Sequence, residues 1–310
     1  FRSWRTLLVT GLGKGGRSYV AMDVTSISSS LSESQVAGKV LWEFSHPDMG
    51  FSFGRPLITK TRKWGWVVIL SGGYNNIGGD TTAGYKPGQG VIFVVNPKDG
   101  SLLQAIYTGF GSSGSPAGLA EITGYTQNYQ DYTTDYVYGG DLSGNLWRFD
   151  FTDNSKSVPS PTKIAQFKDP SGTPQPITVA PKVEYSADDL KRYVFVGTGR
   201  LLAASDQKNS QQQTMYALRD GTRTYAYGSN SNQVALPDGV TFPSGRGDMS
   251  AVSSLLAGAT KSESTPMGWY YDVTGSVSGV TERIVLALQA NDGVLSWVGS
   301  LPNSDPCSPT

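Results

Sequence analysis

One unit recurs along this chain, and few folds accommodate it: a strand, a glycine-containing turn, and a strand that ends aromatic or apolar just before Asp or Asn. It is read in Tyr19-Val20-Ala21-Met22-Asp23, Phe93-Val94-Val95-Asn96, Leu146-Trp147-Arg148-Phe149-Asp150 and Tyr216-Ala217-Leu218-Arg219-Asp220. The fullest copy occupies residues 135–151. Tyr136, Val137 and Tyr138 suit an extended, half-buried strand. Gly139, Gly140 and Asp141 break it, and Ser143-Gly144 makes a tight turn in which Gly takes φ > 0 at little cost. Residues 146–151 then return in alternation. A small antiparallel unit repeated at irregular spacing predicts an all-β fold, a β-propeller in which each blade buries its faces on its neighbours. A β-sandwich is the alternative, but it needs only about seven to nine strands, and this chain offers more.

Residues 6–10 and 18–24 read as strands around Gly11-Leu12-Gly13-Lys14-Gly15-Gly16. A phosphate-cradling loop would need a helix directly after it. Arg17-Ser18-Tyr19-Val20-Ala21-Met22-Asp23-Val24 instead alternates like a strand, so a glycine-rich hairpin is expected. Further strands are read at 40–44, at 55–59 and 64–70, at 91–95 and 102–107 around Asn96-Pro97-Lys98-Asp99-Gly100, and at 178–183, 192–202, 214–221, 268–273, 282–287 and 293–298. Residues 71–90 form a long polar loop of the kind that is functional or mobile rather than core. The Ser/Gly-rich stretch 222–267 reads as an insertion, with Leu255-Leu256-Ala257 a short helix inside it. The 310 residues fit one propeller domain, 1–310, with modified blades and long loop insertions.

Charge narrows the function. Twenty-five basic and 25 acidic residues cancel, so electrostatics gives no reason to expect nucleic acid. No apolar run reaches the ~18 residues of a membrane span, and no membrane insertion is expected. One cysteine and one histidine leave little material for Cys/His zinc sites or Cys-His catalysis. His46 reads as a loop hydrogen-bonder. Cys307 is ambiguous between a disulfide to a partner outside this sequence and a free thiol. The chain opens inside a strand and stops three residues after Cys307, as expected of a fragment of a longer protein. Trp42, Trp64, Trp66, Trp147, Trp269 and Trp297 sit on strand patterns and are expected mostly between blades, with Trp64 and Trp66 on one face and at least one of them exposed.

Several stretches together resemble the C-terminal propeller of the PilY family of type IV pilus biogenesis factors and tip-associated adhesins. They are Leu7-Leu8-Val9-Thr10-Gly11-Leu12-Gly13 with Gly15-Gly16-Arg17, Phe53-Gly54-Arg55-Pro56, Gly73-Tyr74-Asn75, Tyr138-Gly139-Gly140-Asp141-Leu142-Ser143-Gly144-Asn145-Leu146-Trp147, Phe195-Val196-Gly197-Thr198-Gly199-Arg200, and the segment 302–307. They span nearly the whole chain in order. The family's propeller is similar in fold to the quinoprotein dehydrogenases. The resemblance implies a non-enzymatic module, exported and displayed on the bacterial cell surface, at the pilus tip or with the outer membrane. It would bind minor and major pilins, and host-cell or abiotic surfaces, through loops 71–90, 111–135 and 222–267. The alternative is a quinone-dependent dehydrogenase, which needs a general-base carboxylate, calcium on the quinone and a stacking Trp. No adjacent cysteines and no Ser-His-Asp set beyond His46 support it, so no quinone is expected.

The resemblance also implies a calcium question. In the family an aspartate-rich loop, D-x-[DN]-x-[DN]-G-x-x-D, often precedes the Tyr-Gly-Gly-Asp hairpin. The corresponding positions are Gln127, Tyr129, Asp131, Tyr132 and Asp135, of which only Asp131 and Asp135 match. Gln127 lends at most a carbonyl, Asn128 substitutes only after a shift, and Tyr132 stands where the glycine would be. Two carboxylates make at best a weak calcium site, and a metal-free loop whose Asp residues accept backbone hydrogen bonds is favoured. Finally, Arg246-Gly247-Asp248 is an RGD tripeptide in the insertion. Some relatives carry one to which integrin binding has been attached, through an exposed Arg and carboxylate held apart by a flexible Gly. Such tripeptides also arise by chance in loops, most of which are only solvated.

Overall fold

The computed structural model describes residues 4–127, 130–152, 159, 161–185, 191–222, 241–253, 267–277, 279–291 and 293–302. The chain forms two compact units, 1–137 with 149–161, and 138–148 with 162–310. In the first unit, β1 (Leu7–Gly11), β2 (Ser18–Asp23) and β3 (Val40–Ser45) form an antiparallel sheet in that order. The glycine-rich segment is the β1–β2 hairpin: Gly11 pairs with Tyr19 and Gly13 takes φ +57°. A short helix, α1 (Glu33–Ala37), lies between β2 and β3 and escaped the sequence reading. Its Ser32 cap and Gln35 close a reciprocal capping box that satisfies two otherwise orphaned N–H groups.

The second sheet takes β4 (Leu57–Thr61), β5 (Gly65–Ser71), β6 (Val91–Val95) and β7 (Leu102–Tyr107) consecutively. Residues 67–71 and all of β6 are buried. Continuous apolar runs such as these have no polar face, so the sheet is covered on both faces along these central segments. Val68, Leu70, Val91, Phe93 and Val95 pack with Tyr19, Ala21, Trp42 and Phe44 from the first sheet and with Met49. Each such side chain contributes roughly 1.5–3 kcal/mol on burial, so face-to-face packing of consecutive sheets supplies the core. The loop 71–90 is tied down more firmly than its polarity suggests. Asn76, 1% exposed, donates to the carbonyls of Asp48 and Gln89, and the Lys86 N–H reaches both oxygens of buried Asp48.

The hairpin at 135–151 forms as expected, from β9 (Tyr136–Gly140) and β10 (Asn145–Asp150), with β8 (Ile122–Tyr125) and β11 (Pro161–Gln166) completing the sheet in the order β11-β10-β9-β8. Gly144 takes φ +72°, and a Cβ there would stand 2.4 Å from the Phe167 carbonyl. Neither β8 nor β11 was read from sequence. In the second unit β12 (Lys182–Tyr185), β13 (Lys191–Gly197) and β14 (Thr214–Thr222) run antiparallel. The sheet continues through β16 (Gly268–Asp272) to β15 (Ser250–Ala251), which is parallel to β16. The strand expected at 178–183 therefore begins only at Lys182. Within the expected insertion, 241–253 supplies β15, while Leu255, Leu256 and Ala257 lie outside the described residues, as does Cys307.

The strand expected at 282–287 is absent. Two small hairpins, β17 (Ser276–Val277) with β18 (Val280–Thr281) and β19 (Gln289–Asn291) with β20 (Val294–Ser296), flank this segment. Its Arg283, 2% exposed, turns inward onto backbone carbonyls: Nη1 donates to Arg200 and Asp206, Nη2 to Asn209 and Thr281. Of the tryptophans read on strands, Trp64 instead lies in the turn before β5, against Lys63 and Phe151. Trp42 and Trp147 are buried, and Trp269 and Trp297 pack on the cluster of Met215, Val273, Ile284 and Leu288, whereas Trp66 is 56% exposed.

One local device recurs at turns and strand ends. The carboxylates of Asp23, Asp80, Asp99, Asp131, Asp150 and Asp169 each accept the backbone N–H two residues on, and at Thr82, Ser101, Thr133, Thr152 and Ser171 the hydroxyl as well. These Asx-turns bend the chain by satisfying a backbone donor that the sheet no longer uses.

Candidate functional site

The sequence points to the loop before β9. Asp135 anchors it: its N–H donates to the Tyr125 carbonyl and its own carbonyl accepts from Phe151. Its carboxylate is 1% exposed. Oδ2 accepts the Gln127 N–H at 2.7 Å, and Oδ1 accepts Nη2 of Arg62 at 2.9 Å. Asp131 uses Oδ1 for the N–H and hydroxyl of Thr133, at 2.9 and 2.8 Å, and its Oδ2 lies 3.6 Å from the same guanidinium nitrogen. Arg62 completes the arrangement by donating from Nη1 to the Thr133 hydroxyl at 2.7 Å. Lys60 pairs with Thr133 in a parallel bridge, accepts the Thr134 N–H at its carbonyl, and donates from Nζ to the Asp131 carbonyl. Burial works to raise the Asp131 carboxyl, but the Thr133 hydrogen bonds and the charges of Arg62 and Lys60 hold it below the ordinary aspartate range.

The structure thus brings Asp131 and Asp135 to one centre, and the centre is a guanidinium. Tyr132 takes φ +53°, the left-handed conformation the loop pattern reserves for glycine and one that a bulky residue adopts only under constraint. Calcium takes six to eight oxygens at about 2.3–2.6 Å. Here Gln127 turns an N–H, not an oxygen, toward Asp135. Among the described residues no group of three or more His, Cys, Asp or Glu side chains is gathered. Asn128 lies outside the described residues. The described residues of the loop do not fit a calcium ion.

The RGD tripeptide does not have the exposed, flexible setting that the integrin-type reading requires. Arg246–Asp248 is a single 3-10 turn. The Arg246 guanidinium forks onto Asp272, with Nη1 at 2.9 Å from Oδ1 and Nη2 on Oδ2, and lies 4.0 Å above the Tyr270 ring. Asp248 accepts the Gly245 N–H at 2.8 Å. Gly247 is exposed, but Arg246 and Asp248 are only partly so. Arg62, Thr133, Tyr270 and Asp272 all escaped the sequence reading. Arg62 lies 73 residues from Asp135, and no spacing signals so distant a pair.

A second surface feature lies on β4–β5. Trp66 stands directly opposite Lys60, two residues along from Ile58, so the three share one sheet face. Ile58 and Trp66 are 40% and 56% exposed. Among the described residues no helix is long and apolar enough to cross a membrane.

Comparison with known proteins fits this architecture. The profile described as the PilY1 beta-propeller domain matches residues 2–235. A type IV pilus biogenesis factor PilY1 homolog of Xylella fastidiosa is 29% identical over 309 residues, covering 98% of this chain and 23% of its own length. The type IV pilus biogenesis factor PilY1 of Pseudomonas aeruginosa is 27% identical over 349 residues, covering 99% of this chain and 28% of its own. The chain therefore spans less than a third of the length of these relatives. The crystal structure of the Pseudomonas aeruginosa PilY1 C-terminal domain superposes with a TM-score of 0.68 at 23% identity, over 93% of this chain and 63% of that one, and shows the same β-propeller fold. The chain belongs to the PilY1 beta-propeller domain family.

Proposed function

We propose that this chain is the propeller module of a type IV pilus biogenesis factor on the outside of a bacterial cell, and that it acts by binding rather than by chemistry. The observation that carries the reading is the family match over residues 2–235, with relatives named as pilus biogenesis factors rather than as enzymes. Two features support a presentation role: central strands such as β6 are buried along their whole length and carry the turns, and an apolar-aromatic patch of Ile58 and Trp66 beside Lys60 is left open at one end of β4–β5. Aromatic side chains beside a cation suit a protein contact, because they offer a large rigid area at small entropic cost. Minor and major pilins are the proposed partners, with attachment to host-cell or abiotic surfaces a second use of the same display.

The test is capture of the full-length protein by tagged minor pilins from cells that make both. Capture is expected, and it should weaken in the double variant Ile58→Ser, Trp66→Ala. Full capture and normal piliation by a protein from which the propeller has been deleted would refute the reading.

A further inference from the structure

We propose that Arg62 is the built-in cation of the 127–135 loop, doing permanently what a divalent ion would do in a carboxylate-rich loop, so that this propeller holds its shape without calcium. Three observations carry the inference, and none depends on the function proposed above. First, the carboxylate oxygens are already committed. Both oxygens of Asp135 and Oδ1 of Asp131 accept hydrogen bonds from Arg62, Gln127 and Thr133, and the remaining oxygen, Oδ2 of Asp131, faces the guanidinium at 3.6 Å. Second, the charges balance locally. Asp131 and Asp135 carry two negative charges, and Arg62 with Lys60, whose Nζ sits on the Asp131 carbonyl, carry two positive ones. A divalent ion entering here would meet two cations and would have to expel Arg62 from a carboxylate that is 1% exposed. Buried carboxylates release such a partner only at a large cost. Third, the sharp turn persists although its glycine does not. Tyr132 is 68% exposed at φ +53°, so its own side chain gains little from that conformation. A strained residue of this kind persists only where its surroundings over-determine it. Here the constraint comes from the residues on either side: Asp131 held by Thr133, Thr133 held by Arg62 and by its bridge to Lys60, and Thr134 held by the Lys60 carbonyl.

The experiment has two arms on the purified chain. Calcium chloride is titrated calorimetrically into the wild type, and its thermal unfolding is recorded in chelator and in calcium. No stoichiometric heat and no shift of the midpoint are expected. One-site calcium binding that stabilises the wild type and is lost in Asp135→Asn would overturn the proposal. In the second arm, Arg62→Gln is compared with wild type by limited proteolysis and hydrogen exchange across 127–135. Loss of one charge-assisted hydrogen bond should raise local opening by about tenfold or more, while exchange in the core strands β5 and β6 stays as in wild type. An Arg62→Gln protein whose loop is as protected as the wild type's would equally overturn it. Should Arg62→Gln fail to fold, Arg62→Lys replaces it. Lysine keeps the charge but cannot reach Asp135 and Thr133 together, so the loop should open more than in wild type in a protein that still folds, and unchanged protection there counts against the proposal.

Discussion

Asp141 is the side chain on which the 135–151 hairpin turns, and Asp141→Asn is the sharpest probe of it. The carboxylate is fully buried. Oδ1 accepts the N–H groups of Ser143 and Asn145 at 2.9 and 3.0 Å, and Oδ2 accepts Asn145 Nδ2 at 2.8 Å and Trp147 Nε1 at 2.9 Å. An asparagine has the same shape but must put an NH2 where one of these oxygens was. Whichever oxygen it replaces, two donors then face a donor. Hydrogen bonds to a charged group contribute about 1.5–3 kcal/mol each, so the gross loss is roughly 3–6 kcal/mol. Part of this is offset, because burial pushes the Asp141 carboxyl above its ordinary range against the pull of those same donors, and the amide escapes that penalty. The net expectation is a destabilisation of about 2–4 kcal/mol, with Asp141→Ala worse because the donors of Asn145 and Trp147 are left buried and unpaired. Urea unfolding at constant m-value measures it. Hydrogen exchange over 138–150 localises it, which matters because a chain of two compact units need not unfold in one step. A midpoint for Asp141→Asn within about 0.5 kcal/mol of wild type, the scatter of a neutral surface change, together with unaltered exchange in the hairpin, would show that this carboxylate does not organise the turn.

Two further outcomes are expected. His46 accepts the Asp48 N–H at Nδ1 and lies against Phe93 and Tyr85, and burial lowers its pKa from the ordinary histidine value. The unfolded chain therefore takes up the proton first. Stability should be full above the unfolded value of about 6.5 and fall as pH drops below it, and His46→Gln should flatten that slope in urea midpoints measured across the range; an equal slope in both proteins would assign the pH dependence elsewhere. Arg283 serves the carbonyls of Arg200, Asp206, Asn209 and Thr281, more than the three donors of lysine can serve. Arg283→Lys should expose 199–211 to protease, and Arg283→Ala should cost about 1–3 kcal/mol for each carbonyl left buried and unpaired; unchanged cleavage would sink the assignment.

What was legible in the sequence is what local chemistry decides. The hairpins at 7–23, 57–71, 91–107 and 136–150 carry their own turn residues and apolar alternation, and each pairs as read. The strand β8 is Ile122-Thr123-Gly124-Tyr125, four residues with a glycine inside, and β11 opens on Pro161. Such segments become strands because the sheet offers them an edge, which propensity alone cannot foresee. The misread strand at 282–287 failed for a related reason. Arg283 turns into the interior and takes carbonyls from a distant loop, interrupting an alternation that looked sound. At the candidate site the sequence supplied Asp131, Asp135 and the displaced glycine at Tyr132. The residue that explains all three, Arg62, sits in the turn between β4 and β5, where its sequence neighbours give no hint of a carboxylate partner.

The Asx-turns connect these observations. At Asp23, Asn96 and Asp150 the side chain that ends the recurring unit takes over the N–H two residues on, and at Asp150 the Thr152 hydroxyl joins the same oxygen, whereas Asp220 lies inside β14 and accepts from Tyr138 and Arg148 instead. A cation loop written D-x-[DN]-x-[DN]-G relies on those same carboxylates pointing inward at an ion. The two uses compete for one side chain. Asp131 is engaged by Thr133 through the turn, Asp169 by Ser171 and, on its other oxygen, by Gln211 at 3.0 Å, and Asp206 by the N–H groups of Leu202 and Ala203 and by Arg200. In each case a donor from the chain itself meets the carboxylate. At Asp131 the threonine two residues on takes one carboxylate oxygen and Arg62 faces the other, so the loop closes on side chains of this chain around the bend recorded at Tyr132.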